Sequence, residues 1–234
     1  MARIDDEAGV QARLAGGLYL VVVATGLFAF SIFSDVIVAG DPSATNANLA
    51  ASEARFRLGI ASDLVATMAY VAVVALLYGL LRPVSRVMSL LAAAFGLAGC
   101  IVSAALSLTR LAALTAASDG SAAINSAMHS AAWLHLNTQA LSLSFAFFGT
   151  YCVMLGWLVF HSTFLPRILG ILLAIAGVAW LTDSFGSLIA PDAMRPLGPV
   201  FMAVGGIGEL AFALWITVFG VDRAKWRASA EAGP

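Results

Sequence analysis

Six apolar stretches, each about as long as a bilayer is thick, alternate with short polar links: Leu14–Ile37, Leu58–Leu81, Met88–Leu114, His135–Phe160, Ile168–Ala190 and Leu197–Gly220. A hydrocarbon core about 30 Å thick needs about 20 apolar residues of helix to cross it. Backbone groups in lipid must be satisfied within the segment, and runs this apolar lack the in-out alternation of barrel strands, so all six are predicted as helices. The intervening links, Gly40–Arg57, Arg82–Val87, Thr115–Trp133, His161–Arg167 and Pro191–Pro196, carry polar residues or proline. No link has room for a soluble domain. The pattern therefore predicts an all-α polytopic membrane protein: one transmembrane domain over residues 1–234, a single bundle of six helices, with residues 221–234 as a short cytoplasmic tail.

Charge adds an orientation. Arg3, Arg13, Arg82, Arg86, Arg167, Arg223, Lys225 and Arg227 fall on one side of this topology, and Arg55, Arg57 and Arg195 on the other. Positively charged segments stay cytoplasmic, so both termini are expected there, as in a multi-pass protein of the cell (inner) membrane. The first stretch is too long for a signal-peptide core and lacks a convincing cleavage site; it reads as an uncleaved span with Asp35 at its outer rim.

Composition narrows the function classes. With 61% hydrophobic and 11% charged residues and a mean hydropathy of +0.95, the chain is not an ordinary globular protein, and its expected partners are membrane lipids. A net charge of -1 and scattered basic residues argue against nucleic acid. Cys100 and Cys152 fall inside apolar stretches, where thiols behave as small hydrophobes. No metal-ligand spacing is present, so neither a metal nor another cofactor is expected. Nor is there a phosphate loop or a nucleophile elbow, and the sole lysine, Lys225, lies in the tail.

Against this apolar background three acidic residues stand out: Asp63, Asp183 and Glu209. An ionisable group in hydrocarbon costs at least about 2.5 kcal/mol and usually faces a bundle interior or a wet cavity. Counting a 1.5 Å rise from the cytoplasmic arginines puts Asp63 about 28 Å, Asp183 about 24 Å, Glu209 about 21 Å and Arg110 about 36 Å along their helices. Glu209 is thus the deepest, and Arg110 and His135 are at the outer rim.

Residues three, four and seven apart share a helix face. On that spacing Asp63 joins Thr67 and Tyr70, Arg110 joins Ser107 and Ser103, His135 joins Thr138, Gln139 and Ser142, and Asp183 joins Trp180 and Ser187. If these stripes converge, Asp63, Tyr70, Arg110, His135, Gln139, Trp180, Asp183 and Glu209 line an outward-facing acidic pocket. The alternative for Asp63 and Arg110 is one interhelical ion pair. His129 reads as a solvated loop residue. Burial disfavours the charged form of a carboxyl, which makes Glu209 the candidate proton donor.

Small residues repeat at packing intervals: Ala92, Gly96, Cys100 and Ala104 in the third stretch, and Gly170, Ala174 and Gly177 in the fifth. Such ladders let helices approach closely in lipid. Gly205, Gly206 and Gly208 beside Glu209 either loosen that helix or open space next to the carboxyl.

Several elements carry a resemblance: Ala12-Arg13-Leu14-Ala15-Gly16, Leu77-Tyr78-Gly79-Leu80-Leu81-Arg82-Pro83-Val84, Phe164-Leu165-Pro166-Arg167-Ile168-Leu169-Gly170 and Gly208-Glu209-Leu210. With these the chain resembles a bacterial family of six-helix membrane proteins, the domain-of-unknown-function 4386 family. The resemblance implies the six-span topology and an important Glu209; it implies no activity.

Three classes of function stay open. The pocket is a binding or transport site for a small amphipathic or cationic molecule, with Asp63 and Asp183 supplying charge, Arg110 positioning an anionic group and Glu209 exchanging protons. Alternatively the bundle is a lipid or terpenoid isomerase or cyclase, with Glu209 as general acid and Asp183 or Asp63 as base. In the third class it is an accessory subunit whose polar stripes satisfy one another. The sequence leaves the oligomeric state open.

Overall fold

The computed structural model describes the backbone of residues 2–38, 40–118 and 123–233, and the side chains of residues 7–38, 40–118 and 125–233. The Arg3 side chain and residues 119–122 of the expected third link lie outside the described residues. Among the described residues the chain is helical with no strand: α1 (Ala2–Val36), α2 (Pro42–Ala51), α3 (Glu53–Leu81), α4 (Arg86–Ser118), α5 (Ala123–His161), α6 (Arg167–Ile189), α7 (Pro191–Met194), α8 (Gly198–Val218) and α9 (Arg223–Ala232). Six of these, α1, α3, α4, α5, α6 and α8, are long and apolar enough to cross a membrane.

The helices overrun the apolar stretches that announce them. Most of the expected third link is helix, because α4 continues to Ser118 and α5 begins at Ala123. Alanine has the highest helix propensity, so an alanine-rich segment stays helical after its hydropathy falls. His129, expected in a loop, is an exposed residue of α5. The first link folds as well. Asp41 caps α2, accepting from the Ala44 N–H at 2.9 Å, and Pro42 occupies the first helical turn. Thr45 Oγ1 accepts from the Val38 N–H at 2.9 Å, and the Asn48 amide donates to the Val36 carbonyl at 3.2 Å, so α2 closes over the end of α1.

The chain divides into two compact units. The first comprises Met1–Val21, Ala69–Cys100 and Ser142–Pro234. Glycine decides its packing. A Cβ on Gly156 would come within 2.6 Å of the Gly170 carbonyl oxygen, and one on Gly177 within 2.6 Å of the Gly149 carbonyl oxygen, so α5 and α6 touch backbone to backbone. Gly208 of α8 likewise meets the Leu172 carbonyl and Ala176 of α6. Apolar exclusion does not hold helices together in lipid, and such close contact supplies the dispersion energy instead. Gly16 of α1 packs on Ile216 and Thr217 of α8. At the polar end Asp222 caps α9, Trp226 donates its indole N–H to the Leu80 carbonyl at 2.8 Å, and the Asp222 N–H reaches the Phe164 carbonyl at 3.1 Å.

The second unit comprises Val22–Met68 and Ile101–Leu141. Its core gathers Ile32, Phe33, Val36, Leu49, Phe56 and Leu114, with Phe33 and Phe56 edge to face at 5.2 Å. Polar groups tie its helices: the Ser62 hydroxyl donates to the Thr25 carbonyl at 3.0 Å, and the buried Asn137 amide donates to the Leu106 carbonyl at 3.0 Å and to Thr109 Oγ1 at 2.8 Å. In lipid such bonds satisfy groups that would otherwise be stranded.

Candidate functional site

Glu209 lies in the last apolar helix, α8, one turn after Gly205. Gly205 leaves the space Trp180 needs, since a Cβ there would fall on the indole ring. With its ring lying over α8, Trp180 of α6 donates its N–H to Glu209 Oε1 at 2.6 Å, and Phe145 stacks on it at 4.6 Å. The other oxygen, Oε2, accepts from the Tyr19 hydroxyl of α1 at 2.5 Å. Cys152 of α5 places its thiol against the same carboxyl. The carboxyl is therefore held by three uncharged donors from three helices.

Tyr70 of α3 extends this set. Its hydroxyl is 3.2 Å from that of Tyr19, whose proton is already directed at Glu209, so Tyr70 is the donor in that pair. The Tyr70 ring meets Tyr19, Phe148 and Tyr151 edge-on at 5.3, 5.0 and 6.1 Å. Tyr151 is buried, and its hydroxyl has no hydrogen-bond partner among the described residues.

The two carboxyl oxygens are chemically unequal. An indole N–H can only donate, so Oε1 must remain an acceptor; a phenol can donate or accept, so Tyr19 can reverse its bond when Oε2 takes a proton. The arrangement permits proton exchange at Oε2 without breaking the Trp180 contact.

The remaining candidates fall out as follows. Asp183 of α6 is half-buried and has no hydrogen-bond partner among the described residues; a Cβ on Gly198 would be 4.0 Å from its Oδ1. In the second unit, Arg110 of α4 donates to Asp63 Oδ2 at 2.5 Å, with its guanidinium 4.2 Å from the centre of the Phe33 ring. This is the ion pair that the sequence offered as the alternative to a ligand role. His135 and Gln139 of α5 face each other at 3.4 Å and are exposed. His135, Asn137 and Thr138 line an open polar cleft of about 320 Å³ with Asp41 and Thr45.

Sequence reasoning selected Glu209, Trp180 and Tyr70 and missed Tyr19, Tyr151 and Cys152. A signal existed: Tyr19 and Tyr151 lie well inside apolar stretches, where a phenol needs a partner, rather than at the ends where belt aromatics sit. The Gly205 reading as space beside the carboxyl holds, and the occupant of that space is Trp180. Among the described residues no group of three or more His, Cys, Asp or Glu is placed to hold a metal ion.

No curated protein and no solved structure matches the chain. Residues 14–220 match the family described as a domain of unknown function (DUF4386), a span running from the start of the first apolar stretch to the end of the last. The chain belongs to the DUF4386 family.

Proposed function

We propose that this is a multi-pass protein of the cell (inner) membrane, both termini cytoplasmic, that binds or carries a small amphipathic or cationic molecule, with Glu209 as its proton-exchanging group. One observation carries the reading. The Glu209 carboxyl sits in an apolar helix with Tyr19, Trp180 and Cys152 as partners, all uncharged. Asp63, by contrast, has its charge matched by Arg110.

A carboxylate in hydrocarbon with no basic partner is neutralised either by a proton or by a cation. Those two outcomes exclude each other at one oxygen, which is the physical basis of proton-coupled binding. The Trp180 contact supports this by confining the exchange to Oε2. Asp183 is the second acidic group that can attract a cation, since its carboxylate has no partner among the described residues.

The test uses tetraphenylphosphonium as a cationic amphiphile. Its binding to the detergent-solubilised full chain, followed by calorimetry across neutral pH, is expected to strengthen as pH rises and to release a proton per cation bound. Glu209→Gln is expected to lose both the affinity and the pH dependence. Binding unchanged in Glu209→Gln overturns the proposal, as does native mass spectrometry showing only ordinary bilayer lipids and no cation uptake.

A further inference from the structure

We propose that the surface groove between α5 and α6 holds one acyl chain of an anionic phospholipid, with the lipid phosphate on Arg167. The groove has a volume of about 490 Å³ and an almost wholly apolar lining. Its floor is the contact of Gly156 with Gly170 and Ala174, where the missing side chains leave a trough. Trp157 and Phe160 wall it at one end, and Ile171, Ile175 and Val178 continue along α6.

The polar groups sit at the aromatic end. The Arg167 guanidinium lies 5.7 Å from the centre of the Phe160 ring, and the His161 ring lies tilted against Trp157 at 4.2 Å. Arg167 has no acidic partner among the described residues, whereas Lys225 of α9 is paired with Asp222. An apolar channel ending at an unpaired guanidinium has the same polarity as a phospholipid: chain below, anion above.

Depth selects the occupant. From Arg167 to Val178 is eleven residues, or about 16 Å of helix. Half of a core about 30 Å thick is about 15 Å, so the groove runs from the interface to about the midplane. A partner helix from a second copy would need a seat across the whole core, whereas a lipid chain spans one leaflet.

Native mass spectrometry of the full chain decides the matter, with phosphatidylglycerol and phosphatidylcholine of identical acyl chains offered in equal amounts. The wild type is expected to retain one phosphatidylglycerol in preference, and Arg167→Gln to lower that preference about fivefold, the share one basic residue contributes at an anionic surface. Arg167→Lys is expected to keep most of it, which separates charge loss from misfolding. Ile171→Trp, a lipid-facing change that fills the trough, is expected to reduce retention of both lipids, with helical circular dichroism unchanged. Arg86→Gln, on another link, is expected to leave the preference intact. Equal retention of the two lipids by the wild type overturns the proposal. So does a loss in Arg86→Gln as large as in Arg167→Gln, which means diffuse surface charge. A change in oligomeric mass rather than lipid count in Ile171→Trp also overturns it and assigns the groove to a second copy.

Discussion

The indole of Trp180 lies where a side chain at residue 205 would be, and Gly205 is what allows it to reach Glu209. Gly205→Ala gains up to about 1 kcal/mol of helix propensity but forces the ring off its seat, and overpacking of this kind costs about 1–3 kcal/mol. A net destabilisation is expected, together with a changed tryptophan emission spectrum. Both are read in detergent by thermal unfolding and fluorescence; an unchanged spectrum refutes the contact.

Glu209→Gln is expected to fold almost as the wild type does, within about 1 kcal/mol, because each new polar atom finds a partner. The amide oxygen accepts from Trp180, and the amide nitrogen donates to Tyr19, which reverses its bond. Glu209→Leu leaves the Tyr19, Trp180 and Cys152 donors without their acceptor and is expected to melt well below Glu209→Gln. Equal melting of the two variants counts against the described bonding.

Two phenols of this cluster, Tyr19 and Tyr151, are expected to respond in opposite ways. Tyr19→Phe removes the donor to Oε2 and should destabilise by about 1–3 kcal/mol. Tyr151→Phe deletes a hydroxyl that has no partner among the described residues and should be neutral or stabilising. Comparing their denaturation midpoints tests the assignment directly.

Breaking the Asp63–Arg110 pair is expected to be worse than removing it. Loss of one partner from a buried pair costs about 3–5 kcal/mol, and the lower end applies because a quarter of the Asp63 side chain is exposed (26%). Arg110→Met should therefore destabilise more than Asp63→Leu combined with Arg110→Met. A double-mutant cycle on thermal stability measures the difference.

At the tail the Lys225 backbone N–H bonded to Asp222 holds that carboxyl below the usual carboxylate range. A lowered folded value means that the cap stabilises α9 above the unfolded value near about 3.9 and loses this as pH falls through the folded value beneath it. Amide exchange across α9, taken relative to the intrinsic rate at each pH, should stay slow down to about pH 4 and quicken below it. In Asp222→Ala the exchange is expected to be fast throughout.

How much of this the chain announced depends on the kind of interaction. The six long helices follow from hydropathy, since nothing but a helix satisfies its own backbone in lipid. Glu209 was conspicuous because a carboxyl there is costly. Tyr19 was not, since a lone phenol in an apolar run becomes meaningful only when a residue 190 positions away is brought to it. Trp180 was grouped with Asp183 by spacing along α6, yet its N–H turns to Glu209, a choice made by the absence of a Cβ at Gly205. The described part of the third link is helix against the expectation of a loop, because serine lowers hydropathy without ending a helix, and the alanines around it sustain one.

Gly16 against Thr217, and Tyr19 against Glu209, join the first long helix to the last. During translation the ribosome emits Tyr19 long before Glu209, so once α3 is made the phenol has Tyr70 as its hydroxyl partner while the remaining crossings are threaded. The carboxyl therefore meets its donors only after the helices that carry them have been made. A nascent chain arrested before α8 carries the cradle without the acid, and any quality-control protease that recognises stranded polar groups in lipid has that interval in which to act.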